Sequence, residues 1–212
     1  MKPTNHLSHI IQSDISYESL APEFFAGVIA LGNHVHGDNY LTNELLADYY
    51  AKSFVGNTNA SWVALYKQKV VGFRLTFAHT QWEADEWCSP SLWPVDPNTV
   101  CYFKCNTVDP AMQGCGIGSR LLSKSIECAQ TQGAEAGLAH IWLASPGNSA
   151  FKYFTKNGGQ LIKKHPNKWR YASIHEGYDA LYARVIASVK VRKCYFNFKP
   201  HKYDTVNNVF IL

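Results

Sequence analysis

The sequence predicts a mixed α/β fold, with helices covering both faces of one sheet. Three observations carry that prediction. Short strand-like runs alternate with helix-periodic runs along the 212 residues. A glycine-rich turn at residues 114–118 joins an apolar strand to an amphipathic helix. A second helix, over residues 148–156, stands between two further strands.

The elements follow in order. Ile10 and Ile11 mark a strand within residues 6–13. Leu20, Phe24, Val28 and Leu31 share one face of a helix that stops near Gly32 and Asn33. Residues 33–41 are polar, hold His34, His36 and Asp38, and read as a loop. Thr42 or Asn43 caps a second helix through Leu45, Leu46, Tyr49 and Tyr50. Residues 61–66 and 70–77 form a hairpin about a turn at 67–69. Residues 79–98 are a long irregular stretch with Trp82, Trp87 and Trp93, a length that usually serves function or wraps a surface. A strand over 100–108 precedes the glycine turn, and a helix over 117–132 follows it. Residues 138–144 read as a buried strand. The helix at 148–156 closes on Gly158 and Gly159, and strands follow at 160–164 and 180–189.

Composition bounds the function. Hydrophobic residues make up 46% and charged residues 17%, which places the chain among globular proteins and away from disorder. The formal net charge is +4. Residues 1–187 hold as many basic as acidic side chains. The excess lies in Lys190, Arg192, Lys193, Lys199 and Lys202, against Asp204 alone. A neutral body argues against a broad nucleic-acid footprint. The expected organisation is one domain over 1–187 and a basic, aromatic C-terminal extension over 188–212. Residues 190–199 alternate charge and aromatics. They read either as an edge strand with one apolar face on the body or a partner, or as a basic-aromatic arm touching RNA or anionic lipid. Val209, Phe210, Ile211 and Leu212 would dock on the body or on a second subunit, which makes a homodimer one expectation.

Six cysteines show no CxxC pair and no regular framework. Cys101 and Cys105 would share one strand face about 13 Å apart, too far to bridge. Reduced thiols, the absence of a signal-peptide pattern and the absence of a membrane-length apolar run lead to a cytoplasmic expectation.

The informative segment runs from Val108-Asp109-Pro110 through Gln113, Gly114, Cys115, Gly116, Ile117 and Gly118. Three glycines at alternate positions let the backbone approach a ligand at a helix N-terminus. Amide donors and the positive end of the helix dipole there suit a pyrophosphate. Ser119 and Arg120 can add contacts from the first helical turn. A P-loop would need Lys after the last glycine, where Ser119 stands. A dinucleotide fold would need an acidic residue ending the next strand, which instead ends Leu143-Ala144-Ser145.

Gln113-x-x-Gly116-x-Gly118 after Val108-Asp109-Pro110 resembles motif A of the GNAT superfamily of N-acetyltransferases. Asn148-Ser149-Ala150 running to Lys156-Asn157-Gly158-Gly159 is similar to that family's motif B. The two motifs cover about residues 100–164. The resemblance implies a mostly antiparallel mixed sheet with a splayed strand pair that binds acetyl-CoA. It implies that the backbone of Thr107 and Val108 pairs with the pantetheine arm. It implies that amides from Gln113 to Gly118, including Cys115 and Ile117, hold the pyrophosphate, and that Asn148 contacts the arm. Transfer in this family is direct, so a nucleophilic Cys115 is disfavoured. His34-x-His36 with Asp38 has the ligand types of a metal site, but no further ligands accompany them in sequence, so no metal is expected.

Direct transfer requires the acceptor ammonium to lose a proton. It also requires an N–H donor for the oxyanion, which the strand around residues 106–108 can supply. A proton for the leaving thiolate is the least demanding need. The position where many family members carry a Tyr is Phe154 here, with Tyr153 beside it. Tyr153 is either a core or rim aromatic, with water as the acid, or a displaced acid. Tyr102, Lys104 and Asn106 fall on one strand face and include no obvious base. His79 and Glu83, with Asp85 and Glu86 nearby, are candidate bases, or else Glu83 belongs to a solvated acidic loop. His34 and His36 border the acceptor site that the resemblance implies. Trp82 and, further on, Trp169 supply aromatic surface for a cationic amine.

The expected function is acetyl transfer from acetyl-CoA to a primary amine, of a small molecule in the first reading. A protein or aminoacyl-tRNA amine is a second reading. A degenerate acyl-CoA sensor, motivated by Phe154, is the third.

Overall fold

The structure, a computed structural model, describes residues 14–84, 88–142, 149–166 and 190–197. They fall into two compact units, Met1–Glu83 with Asn98–Ala134, and Ala84–Pro97 with Glu135–Leu212. The strands expected within 6–13 and at 180–189 lie outside the described residues.

The first unit opens with β1 (Ile15–Ser19), a short 3-10 turn at Pro22–Phe24, α1 (Phe25–His36) and α2 (Asn43–Ala51). Leu20, Val28 and Leu31 are buried on the face that the periodicity marks, with Phe24 packed beside them. The helix does not stop at Gly32, however. It runs one turn further, to Gly37 at φ 104°. Gly32 is there for closeness, since a Cβ on it would meet Leu41 Cδ1 at 2.9 Å. The Asn33 side chain seals the end by accepting from Leu41 N–H at 2.8 Å and donating to Leu41 O at 3.1 Å. His34 and His36 are therefore on the last helical turn, not in a loop. Thr42 caps α2 by accepting from Leu45 N–H at 3.2 Å.

A small hairpin, β2 (Phe54–Val55) and β3 (Thr58–Asn59), precedes β4 (Trp62–Tyr66) and β5 (Lys69–Phe77). Lys67 and Gln68 have φ 49° and 64°, the left-handed pair that a tight two-residue hairpin turn demands. β6 (Val100–Val108) follows, then α3 (Ile117–Thr131). The sheet of this unit runs β1-β4-β5-β6, every neighbour antiparallel. Phe73, Leu75 and Cys105 pack with α1 and α2 on one face. Ala64, Val71, Ile117 and Leu121 form the core beneath α3 on the other.

One irregularity reorders β6. Leu75 pairs Cys105 and Thr76 pairs Phe103, so Lys104 is an extra residue, a β-bulge. Alternation breaks there. Cys105 and Thr107 face α1 and α2, while Asn106, paired with Arg74, turns to the α3 face. The period-two reading of Tyr102, Lys104 and Asn106 as one face is thus corrected. So is the shared face of Cys101 and Cys105.

The second unit holds β7 (Ala136–Trp142), α4 (Ser149–Lys156), β8 (Gln160–Pro166) and β9 (Lys190–Asn197). α4 ends where expected, with Gly158 at φ 89° and Gly159 N–H bonded to Phe154 O at 2.8 Å. β9 pairs β7 on one side and β8 on the other, both antiparallel. The edge strand that is one expectation for residues 190–199 is a middle strand over Lys190–Asn197. Its alternating charges could not reveal this, because both pairing partners are distant in sequence.

Candidate functional site

The glycine turn is built from both sides. Asp109 N–H bonds to Val71 O at 2.9 Å, and the Asp109 carboxylate accepts from Ala111 N–H at 2.9 Å. The chain then makes a 3-10 turn at Pro110–Met112, with Gln113 N–H on Pro110 O at 3.4 Å. Gly114 and Gly116 sit at φ 84° and 79°, where a side chain is strained. Gly118 does not; it lies in the first turn of α3. Gly116 is the helix N-cap and has no side chain to satisfy the first-turn amides. Arg120 N–H is bonded to Gly116 O at 3.0 Å.

α3 is held hard against the sheet at this end. A Cβ on Gly72 would stand 3.0 Å from Ile117 Cγ2, 3.3 Å from Leu121 Cδ1 and 3.4 Å from Thr107 O. Its midpoint is fixed by Ser125 Oγ, which donates to Ala60 O at 2.6 Å and lies 2.7 Å from Thr76 Oγ1. Its far end is fixed by Gln132 Nε2, which donates to Ser53 O and Thr58 O at 2.9 and 2.7 Å. Tyr17, on β1, joins the turn electrostatically. Burial raises its pKa, the Arg120 guanidinium offsets this, and Cys115 adds to the rise. The sequence offered no signal for Tyr17. A glycine inside a strand, as at Gly72, is a signal of close approach.

A second cluster stands on the α1 side of β6. His36 Nε2 lies 2.8 Å from Thr107 Oγ1. The His36 ring stacks on Tyr40, centroids 4.2 Å apart. The Tyr40 side chain is in turn hydrogen-bonded to the Cys105 thiol, whose pKa burial pushes up to about 11. Thr107 is buried, whereas His36 as a whole residue is exposed. Burial of its inner edge holds the His36 pKa below the ordinary histidine value.

The other expected residues take separate places. His79 follows β5 at the Phe77 end, which pairs Tyr102, while the glycine turn follows the Val108 end, which pairs Gly72. A Cβ on Gly133, past the end of α3, would be 3.8 Å from His79 Cε1. Burial lowers the His79 pKa as well. Trp82 donates to Val100 O at 2.7 Å and stacks on Tyr102 at 5.0 Å. Glu83, next to it, is exposed, as is His34. In α4 Phe154 is buried and Tyr153 half-buried, their rings edge to face at 4.9 Å. Asn148 and Trp169 lie outside the described residues. Among the described residues no three His, Cys, Asp or Glu side chains gather as a metal site. No described helix is long and apolar enough to cross a membrane.

Residues 20–158 match the model of the acetyltransferase (GNAT) family. Comparison with curated proteins gives no match. Among solved structures, yncA of Salmonella typhimurium, a putative acetyltransferase with its cofactor acetyl-CoA, is 17% identical, with TM-score 0.62 over 91% of this chain and 99% of that one. The Escherichia coli ribosomal-protein-S18-alanine N-acetyltransferase is 12% identical, with TM-score 0.61 over 90% and 99%. Arabidopsis thaliana Naa50, in complex with the bisubstrate analogue CoA-Ac-MVNAL, is 15% identical, with TM-score 0.57 over 87% and 99%. At these identities the likeness shows the fold, mixed α/β with a mostly antiparallel sheet flanked by helices.

Proposed function

The chain belongs to the acetyltransferase (GNAT) family, and on that premise we propose that it moves an acetyl group directly from acetyl-CoA to a primary amine of a small molecule. The observation that carries this is the turn at Gly114 and Gly116. Two left-handed glycines open a cap-less helix N-terminus, pressed on the sheet at Gly72. Backbone amides and the helix dipole there fit a pyrophosphate. The residues in place therefore suit acetyl-CoA, which supplies the activated acetyl group. Gln113, Gly114, Cys115, Gly116, Ile117 and Gly118 would hold its phosphates, with Ser119, Arg120 and Tyr17 at the margin. Thr107 and Val108 would align the arm through their backbone, and Asn148 would contact it.

β6 carries the rest of the reaction. Its backbone N–H groups near residues 106–108 would stabilise the oxyanion. Trp82, stacked on Tyr102, offers an aromatic face to a cationic acceptor. Glu83 and His79, the proton acceptors that the sequence alone offers, stand at the Phe77 end of the β5–β6 pair. Water would protonate the leaving thiolate, with Tyr153 as the side-chain alternative. Trp169 completes the aromatic residues assigned to the acceptor.

Phe154, buried and without a proton to give, favours the sensor as the second reading. One assay separates the two. Release of free CoA thiol from acetyl-CoA is followed against a panel of primary amines, including peptide α-amines. Turnover with a small amine supports the proposal, and turnover with peptides alone moves the acceptor to protein. No turnover, alongside binding of acetyl-CoA, supports the sensor.

A further inference from the structure

We infer that His36 is the general base of the reaction, with Nδ1 taking the acceptor's proton and Thr107 and Tyr40 setting the ring. The inference rests on the acetyl-transfer reading above. Three observations place the ring for that role. It projects from the last turn of α1, over the strand whose backbone is assigned to the cofactor arm. Its Nε2 edge is anchored on Thr107 Oγ1 at 2.8 Å, and its face is fixed against Tyr40 at 4.2 Å. Its Nδ1 has no hydrogen-bond partner among the described residues.

An anchor on one imidazole nitrogen decides what the other can do. Thr107 Oγ1 is a buried oxygen that can accept or donate. The role inferred for His36 takes the Nε2–H tautomer, in which Thr107 accepts and the Nδ1 lone pair points outward. In the same direction, burial lowers the pKa of the ring, so it is neutral and able to accept at neutral pH. The other titratable groups around it are His34 and Asp38 from its own segment, Tyr40 against its face, and, through Tyr40, Cys105 from β6. The Cys105 thiol, at about 11, stays protonated through the range in which a histidine titrates.

The step balances. An N–H proton of the acceptor ammonium passes to His36 Nδ1, and the freed nitrogen lone pair forms the C–N bond. The C–S bond breaks with its electron pair on sulfur. The second amine proton reaches the thiolate through water, and His36 returns its proton to solvent.

The test has two arms on the full-length protein. Long-range proton–nitrogen spectra of the wild-type imidazoles above pH 8 read the tautomer directly. The inference requires His36 protonated on Nε2, and an Nδ1–H tautomer overturns it. The kinetic arm is the pH profile of kcat/KM with the best amine of the panel. Wild type should reach a plateau above the His36 pKa. His36→Gln keeps an N–H where Nε2 was but cannot titrate. It should lose about 100-fold or more on the plateau and climb tenfold per pH unit toward the amine's own pKa. Acetyl-CoA affinity should stay within about twofold. If the Gln variant retains the plateau, His36 is structural and the inference is overturned. Wild type inert toward every amine overturns the acetyl-transfer reading and this one with it, an outcome distinct from an active enzyme indifferent to His36.

Discussion

His36 Nε2 and Thr107 Oγ1 meet at 2.8 Å, though 71 positions apart in the chain. The contact ties the last turn of α1 to the strand that leads into the glycine turn. It brings a residue expected at the acceptor side onto one expected at the cofactor.

That contact has a stability of its own. Thr107→Val keeps the buried shape and removes the oxygen, leaving the inner nitrogen of His36 without its partner. The expected cost is about 1 kcal/mol in urea unfolding. An unchanged midpoint would mean that water already fills the role.

Gly116 and Gly118 of the turn should separate. Gly116→Ala puts a Cβ on a left-handed residue and should cost roughly 1–2 kcal/mol. Gly118→Ala lies in helical backbone and should gain about 0.5–1 kcal/mol. Thermal melts of the two single variants check the sign of each.

Gly72→Ala tests the seating of α3. The added Cβ has 3.0 Å to Ile117 Cγ2 and meets the Thr107 carbonyl behind. Ile117 or the helix N-terminus must give way, at a cost on the order of 1–3 kcal/mol. Denaturant midpoint and acetyl-CoA affinity should fall together.

Stability should be flat between about pH 6.5 and 9 and fall on both sides. Burial pushes Cys101 up to about 12 and Cys105 up to about 11, from an ordinary thiol value of 9.0. Above pH 9 the unfolded thiols release protons that the folded ones keep, so stability is lost as pH rises toward 11. His36 and His79 are lowered from 6.5 by burial. Below 6.5 the unfolded imidazoles take up protons first, so stability is lost as pH falls. The melting temperature across pH 5–11 reads both limbs, and Cys101→Ala with Cys105→Ala should flatten the alkaline one.

Much of this was legible beforehand, and the exceptions have physical causes. β6 and α3 follow from strong local patterns, an apolar strand, a glycine turn and an amphipathic helix. α1 runs one turn past Gly32, which looks like a stop in the sequence, whereas its lack of a Cβ serves packing against Leu41. The bulge at Lys104 escaped because period two assumes no inserted residue, and it moved Asn106 to the other face. The central place of β9 depends on pairing with residues 136–142 and 160–166, which local chemistry does not encode. Tyr17 reaches the turn, and Tyr40 reaches Cys105, only through tertiary contacts.

The central claim is that the turn from Gln113 to Gly118 holds the phosphates of acetyl-CoA. Calorimetric titration of acetyl-CoA into wild type and into Gly116→Glu tests it most directly. The account predicts that the added carboxylate weakens binding by about tenfold or more, at least 1.4 kcal/mol. Equal affinity in a folded Gly116→Glu protein would contradict it.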